Sequence, residues 1–191
     1  MYRKPHTALL ALLICALLLP AKAASQEVGL FSSPKGVGVL WQGAEKNGAF
    51  NTAAAYVDIY GVVTSRCSFP GYKANFSRQY VFYRKDAGEW GLTLYAGPGL
   101  SAGYVHDHDK GRGVDLSALV ADNQGFVFAL SGDFGMRFEF PGAVVLNLSW
   151  TAEAGLHLRA NERFKDSSNL SIYNNGFIQS LYPQLGILYR F

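Results

Sequence analysis

The sequence contains very little cysteine, and its charges balance once a short N-terminal segment is set aside. The two cysteines are Cys15 and Cys67, and Cys15 lies in a predicted export signal at residues 1–23. Without that segment one cysteine remains, which excludes an intramolecular disulfide and a cysteine-based metal cluster. The segment also holds three of the 17 basic residues, so 17 − 3 = 14 remain against 14 acidic ones. This balance does not indicate nucleic-acid binding.

Long apolar segments are also missing. The start, "MYRKPHTALLALLICALLLPAKA", has basic Arg3 and Lys4, an uncharged run and a small-x-small site at residues 21–23. This pattern is typical of a cleaved secretory signal peptide, and the run is too short to span a membrane. The remaining 191 − 23 = 168 residues, 24–191, correspond to one domain. They are rich in Gly, Phe and Tyr and contain no run near the ~20 apolar residues of a membrane helix, so we expect an exported, β-rich chain.

One stretch alternates between two kinds of residue over its whole length. In "GFVFALSGDFGMRFEF", from Gly125 to Phe140, the even positions are apolar apart from Gly132, and the odd positions are mostly small, polar or charged. Side chains alternate across a strand, so the pattern predicts one two-faced β-strand. Ordinary strands have about 5–6 residues, so this length disfavours a common β-sandwich.

The partner strand follows at once, from Ala143 to Arg159, and it alternates in the same way. A three-residue loop at 141–143 keeps the apolar faces of both strands in phase, whereas a two-residue loop does not. The predicted register therefore places three inward pairs opposite each other: Asp133 and Thr151, Arg137 and Asn147, and Ser131 and Glu153.

Weaker alternation predicts further strands at residues 53–63, 72–82, 90–104 and 177–191. Residues 27–43 fit two short strands around 33–35 or one kinked strand. With two strands there, the chain has eight, joined by links at 33–35, 43–50, 64–71, 85–89, 106–124, 141–143 and 160–175. From the third strand on, long and short links alternate, and an up-and-down barrel with both termini at one end requires an even number of strands.

The apolar faces are too long and too aromatic for a soluble sandwich. In a membrane barrel the apolar face points at lipid, the lumen is polar, and the strands close into a ring because lipid cannot satisfy a free edge. The predicted fold class is therefore all-β: a closed antiparallel up-and-down transmembrane β-barrel of eight strands. Aromatic residues are expected at its two rims: Phe138, Phe140, Tyr189 and Phe191 at one, and Tyr104, Phe126 and Phe177 at the other.

The end of the chain carries a resemblance. The alternating residues Leu185, Ile187, Tyr189 and the terminal Phe191 resemble the C-terminal signature of bacterial outer-membrane β-barrels. The resemblance implies that the barrel-assembly machinery recognises this segment during biogenesis. The size is similar to that of the small eight-stranded barrels of outer membrane proteins A and X. The segments "YAGPGLSAGY" and "YPQLGILYRF" resemble uncharacterised barrels of the Bacteroides group.

The inward face of the best hairpin carries the candidate site. An eight-stranded barrel is filled by side chains, and charges inside it must pair, so we expect a polar network that seals the lumen. Two alternatives remain: a lipid-modifying enzyme, such as a lipid A deacylase, using Ser131, Glu153 and His157, and a narrow channel. Glu153 and His157, four residues apart on one strand, lie roughly 13 Å apart, so no triad is visible. The predicted network consists of Asp133, Arg137, Glu139, Asn147, Thr151, Glu153, His157 and Arg159.

No cofactor is expected, and no catalytic residue is assigned. The "HDHD" run at 106–109 has metal-ligating residue types without the ligand number of a defined site. The glycines of "GPGLSAG", at 97–103, fall at alternate inward positions, so we expect them to leave room for Tyr95, Tyr56 or Tyr182 rather than to bind phosphate. Partners are expected to be membrane lipids and an extracellular ligand at the exposed loops 106–124 and 160–175, because loops on a rigid scaffold often carry function.

Overall fold

The computed structural model describes residues 25–63, 69–105, 125–160, 168–174 and 182–191. The predicted signal peptide, the loop 106–124, the "HDHD" run and Phe177 lie outside these residues. The elements are β1 (Glu27–Ser33), β2 (Gly36–Gln42), β3 (Ala49–Asp58), α1 (Tyr60–Val63), β4 (Gly71–Asp86), β5 (Gly91–Val105), β6 (Gly125–Glu139), β7 (Val144–Ala160), β8 (Ser168–Asn174) and β9 (Gln184–Arg190).

The strands form one closed antiparallel sheet in which every chain neighbour from β1 to β8 is also a spatial neighbour. β9 pairs with β1 and with the first part of β7, while β8 pairs with the last part of β7. β8 and β9 therefore run in the same direction along one edge of β7 and together make the eighth position in the wall. The predicted eight-stranded up-and-down barrel is confirmed.

The stagger of the barrel follows from the register. From Val144, the pairing with Tyr189 and then Val28 continues around the ring to Leu130 and returns to β7 at Ala154. The return point lies 154 − 144 = 10 residues further along the strand. Ten residues at ~3.3 Å over eight strands at ~4.8 Å give a strand tilt of roughly 40°.

The hairpin from β6 to β7 has the predicted register. Ser131 lies opposite Glu153, Asp133 opposite Thr151, and Arg137 opposite Asn147. The turn at 141–143 holds Gly142 at φ 108°, a backbone conformation that favours glycine. Keeping both apolar faces on the same side of the sheet has fixed this loop length.

Residues 27–43 form two strands, β1 and β2, joined by a turn at residues 34–35. The hydroxyl of Ser33 accepts hydrogen bonds from the backbone N–H groups of Lys35 (3.2 Å) and Gly36 (3.3 Å). A side-chain acceptor of this kind stabilises a tight turn. The two-strand interpretation of this segment is therefore the observed one.

Four predicted boundaries were wrong. The strand expected at 72–82 is β4, which continues to Asp86, so the turn expected at 85–89 begins two residues later. The strand expected at 53–63 is β3, which begins at Ala49 and ends at Asp58; the chain then turns into α1, where the N–H of Val63 bonds the carbonyl of Ile59. The expected loop 160–175 contains β8 and one more residue of β7, because the edge of β7 beyond β9 is paired there. The last strand begins at Gln184, after Pro183, which has no N–H to donate; residues 177–181 lie outside the described residues.

The connections differ between the two ends of the barrel. The end at which β1 begins and β9 ends has links at residues 43–48, 87–90 and 140–143, and we call it the short-turn end. The opposite end has the 34–35 turn and the longer links at 59–70, 106–124 and 161–167. Among the described residues, no helix is long and apolar enough to cross a membrane.

Candidate functional site: the polar lumen

The distribution of apolar and polar side chains in the barrel is the reverse of that in a soluble protein. Phe128 and Leu130 face outward with 54% and 69% of their surface exposed, whereas Arg137 and Glu153 face inward with 6% and 5% exposed. The same inversion runs around the ring, where nearly all the large exposed side chains of the strands are apolar. A continuous apolar outer surface of this kind is stable against acyl chains rather than water.

Four charged side chains close the lumen at the short-turn end. Glu27 of β1 accepts hydrogen bonds from Arg137 of β6 (2.7 Å) and from two nitrogens of Arg190 of β9 (2.8 and 2.9 Å). Glu139 contacts the same two arginines, at 3.3 and 2.8 Å. Arg137 also lies over the ring of Phe50, 5.1 Å from its centroid. We call Glu27, Arg137, Glu139 and Arg190 the clasp, because it joins the first and last strands of the wall to β6.

A neutral layer lies next to the clasp. The amide oxygen of Asn147 accepts a 2.7 Å hydrogen bond from the hydroxyl of Tyr95 and a 3.5 Å bond from Gln42. The ring of Tyr95 packs edge-on against Phe50, with the ring centroids 5.1 Å apart. Gly135 makes room for this tyrosine, because a Cβ there would lie 2.2 Å from the Tyr95 ring. This layer fixes two aromatic rings at the centre of the lumen.

The expectation for the glycines at 97–103 was only partly right. Gly97 does mark a close approach, but the atom that a Cβ would meet is the backbone oxygen of Arg78 on the neighbouring strand, at 1.9 Å. At Gly103 it would meet the backbone oxygen of Tyr72, at 2.3 Å. The wall itself, strongly curved in a small barrel, excludes side chains at these positions.

Two predicted residues lie in the middle of the lumen and connect to other strands. Asp133 accepts a 2.8 Å hydrogen bond from Gln79, whose amide also donates to the hydroxyl of Ser77 (2.7 Å). The hydroxyl of Thr151 accepts a 3.3 Å bond from Gln184. The Gln79–Asp133 bond joins β6 to β4 past the intervening β5, and the Gln184–Thr151 bond joins the neighbouring strands β7 and β9.

A buried ion pair lies nearer the other end. Lys73 of β4 binds Glu153 of β7, and each side chain is only 2% exposed. The ammonium of Lys73 also lies over the ring of Tyr56, 5.8 Å from the centroid. Asn75, two residues along β4, donates a 2.8 Å hydrogen bond to the hydroxyl of Ser131. An ion pair buried this deeply is stable only because both charges have a partner.

The remaining predicted residues lie further along β7, towards the end of the barrel opposite the short turns. His157 is buried and its backbone lies opposite Val127 and Ser171. Arg159 pairs with Gly125 through the backbone, and its side chain lies outside the described part. In the described part of the chain, no group of three or more His, Cys, Asp or Glu side chains is arranged to hold a metal ion.

Sequence reasoning did not identify the residues on other strands that bind the predicted network. Glu27, Lys73, Gln79 and Arg190 each bind one of the predicted residues. The alternation in β4 and β9 already pointed Lys73, Gln79 and Arg190 inward, so their placement was available from the pattern. The pattern could not show which strands meet across the lumen, because pairing across the interior depends on the closure and stagger of the ring.

The space left inside is small. Between the described side chains, a cavity of about 40 Å³ remains, lined mainly by polar groups, including Gln42, Tyr95, Asn147 and Glu153. A volume of this size holds one or two water molecules rather than a continuous row of water through the barrel. Side chains therefore fill the lumen between the clasp and the Lys73–Glu153 pair.

The C-terminal signature residues lie on the outer face. Leu185, Ile187, Tyr189 and Phe191 are 53–60% exposed and alternate with inward Gly186, Leu188 and Arg190. Tyr189 lies beside Val144, and Tyr104 and Phe126 pack edge-on at the opposite end of the barrel, 5.0 Å apart. Aromatic side chains thus lie towards both ends of the apolar surface.

Comparison with known proteins gives a structural match. No protein-family model and no curated protein match this chain. Among solved structures, the N-terminal β-barrel domain of Pseudomonas aeruginosa OprF aligns with a TM-score of 0.50 and 13% identity, over 87% of this chain and 97% of that one. The likeness to Bacteroides-group barrels stays a prediction. The chain has the fold of the small eight-stranded outer-membrane β-barrels.

Proposed function

We propose that this protein is an integral, multi-pass β-barrel of the bacterial outer membrane. Its lumen is closed by side chains, and its role is structural or is exerted through the loops at the end opposite the termini. The observation that carries the proposal is the inverted polarity of a closed ring, in which Leu130 is exposed and Arg137 is buried. Water stabilises the reverse arrangement, and a hydrocarbon surround stabilises this one.

Cell fractionation tests the location directly. The full-length chain, with its predicted signal peptide, is expected in the outer-membrane fraction of a Gram-negative host. It is also expected to migrate faster on a gel unheated than boiled, because a closed barrel resists unfolding by detergent. Recovery in the soluble periplasm would refute the proposal.

For the loops, we propose a surface-binding role for residues 106–124 and for the link within 160–175. The support is the asymmetry of the barrel: the longer links gather at the end opposite the termini. An epitope inserted at 106–124 should be labelled by antibody on intact cells, whereas one inserted at 140–143 should be labelled only after the envelope is opened. Equal labelling of both on intact cells would contradict this orientation.

We propose no catalytic role for Ser131, Glu153 and His157. Lys73 already neutralises Glu153, and Asn75 donates to the hydroxyl of Ser131, so these two groups have structural partners. His157→Ala is expected to leave the lipid A profile unchanged in mass spectrometry. A profile that changed with His157→Ala, but not with a folded Val127→Ala control, would support the enzyme instead.

A channel is also not favoured. The clasp crosses the lumen at the short-turn end, and the cavity beyond it is about 40 Å³. Planar-bilayer recordings are expected to show no discrete conductance. A steady unitary conductance from the pure protein would refute the closed lumen.

A further inference from the structure

The outer surface of the barrel carries one charge well inside a strand. Arg78 of β4 is exposed and points outward between Phe76 and Tyr80, which are 53% and 54% exposed. Three more charged residues, Arg84, Lys85 and Asp86, are exposed at the end of β4. The register pairs Arg84 with the inward Thr93 and Lys85 with Leu92, so in the described strands only Lys85 shares the outward face with Arg78. A guanidinium on an acyl-facing surface is costly and marks a functional site by default.

Arg78 is held in place by one neighbour. Its Nη1 donates a 2.9 Å hydrogen bond to the amide oxygen of Asn51, which lies directly opposite on β3. A guanidinium has five N–H donors, so most of them stay available for a ligand. On the other side, Pro98 of β5 and Gly132 of β6 lie opposite each other, and a Cβ at Gly132 would meet nothing within 4 Å. The space beside the guanidinium is therefore open.

The depth of Arg78 suits a phosphate group. Three residues further along β4, the N–H of Val81 donates to the carbonyl of Gly48 in the β2–β3 turn (2.8 Å). At ~3.3 Å per residue and ~40° of tilt, Arg78 lies roughly 8 Å above that turn. The side chain reaches toward Asn51, on the side of the turn, and the turn itself carries the exposed Lys46. The β2–β3 turn thus adds a second cation, Lys46, and the carboxylate of the neighbouring Glu45 is already bound by Arg84.

The chemistry of the partner follows from charge. The outward positions of the described strands hold no Asp or Glu, so a second copy offers no carboxylate from its own acyl-facing surface. The anion available at this depth is the phosphate of a lipid, and a guanidinium binds phosphate with two parallel hydrogen bonds. We propose that Arg78, positioned by Asn51 and assisted by Lys46, binds the phosphate of an anionic glycerophospholipid in the leaflet at the short-turn end. This inference rests on the proposed membrane location.

Lipid retention tests the site. The full chain is refolded into vesicles of mixed phosphatidylglycerol and phosphatidylcholine, extracted in mild detergent, and its bound lipids are counted by native mass spectrometry. The wild type is expected to retain phosphatidylglycerol. Arg78→Gln should lower that retention about tenfold, as expected for loss of a charged hydrogen-bonded partner, and Asn51→Ala should lower it less.

Lys85→Gln is the matched control, because it removes an exposed outward charge from the same strand. The control should retain phosphatidylglycerol as the wild type does. Equal losses in both variants, or no loss in Arg78→Gln, would overturn the inference. So would an Arg78-dependent protein that co-purifies from native membranes in place of the lipid.

Each sample is also run unheated and boiled on a gel. A barrel that folds into vesicles but shows no preference between the two lipids refutes only this site. A chain that does not enter vesicles refutes the membrane location itself.

Discussion

Neutralising Glu27 should weaken the barrel more than any other single change in the clasp. The side chain of Glu27 is 2% exposed, and it binds the side chains of Arg137 and Arg190, which are 8% and 26% exposed. Glu27→Gln leaves two guanidiniums sharing the single carboxylate of Glu139. The change therefore leaves positive charge without a sufficient carboxylate partner near the place where β1 and β9 meet.

The magnitude is set mostly by the deeper arginine. Breaking a buried ion pair by removing one partner costs about 3–5 kcal/mol. The contact with Arg190 is partly exposed, so solvent screens it and it adds ~1 kcal/mol or less. We expect Glu27→Gln to lower the free energy of unfolding by about 3–4 kcal/mol, taking the lower part of the buried-pair range.

Urea titration of the protein folded in lipid vesicles measures this. The three tryptophans, Trp41, Trp90 and Trp150, report loss of the lipid-inserted state by fluorescence. Glu45→Gln is the matched control, because the partner of Glu45, Arg84, is 47% exposed, and it should cost ~1 kcal/mol or less.

A second substitution tests whether the loss of stability comes from the lost attraction or from the arginine charge that is left unpaired. If stranded charge dominates, Glu27→Gln combined with Arg137→Met should recover much of the stability, because buried pairs are often replaceable by apolar residues. A Glu27→Gln loss no larger than that of Glu45→Gln would refute the clasp as a stabilising element. Additive losses in the double variant would refute the stranded-charge reasoning.

Three further changes test other parts of the molecule in the same assay. Lys73→Met should cost about 3–5 kcal/mol by leaving its carboxylate partner buried and unpaired, and a loss under half of the lower figure would contradict the buried ion pair. Gly135→Ala should cost about 1–3 kcal/mol, because its Cβ would lie 2.2 Å from a tyrosine ring; Gly132→Ala, in open space on the same strand, is the control, and equal effects would count against the packed lumen. Leu130→Arg should cost ~2–4 kcal/mol in a bilayer, and Phe140→Arg, which lies near the rim, should cost ~0–1 kcal/mol. If Phe140→Arg were the more costly change, the assignment of Leu130 to the middle of the apolar band would be wrong.

The prediction of the fold succeeded where alternation was long and unbroken. In β6 and β7 the two-residue period ran for 15 and 17 residues, so it fixed both faces, the loop length and the register. It failed at β3, where Ala53, Ala54 and Ala55 are small on both faces and give no contrast. It also failed near Phe82, where the register shifts between Val81 and Tyr83, since an extra residue breaks the period.

For the candidate site, the sequence likewise predicted the inward residues of one hairpin but not their partners on other strands. Asp133, Arg137, Asn147, Glu153 and His157 were assigned to the interior from their position on one face. The partners that neutralise them lie far away in sequence: Glu27 is 110 residues from Arg137, and Lys73 is 80 residues from Glu153. Alternation is a local property, so it reports the face of a strand and not what lies across the ring.

By itself, the sequence determined which side of each strong strand is apolar, and therefore that the strands must close around a polar interior. The tertiary structure decided which charges meet there. Closure of the ring brings β1 and β9 beside each other, and a stagger of ten residues around eight strands sets the level at which each inward side chain lies. That level is a sum over every pairing in the ring, so no single strand contains it.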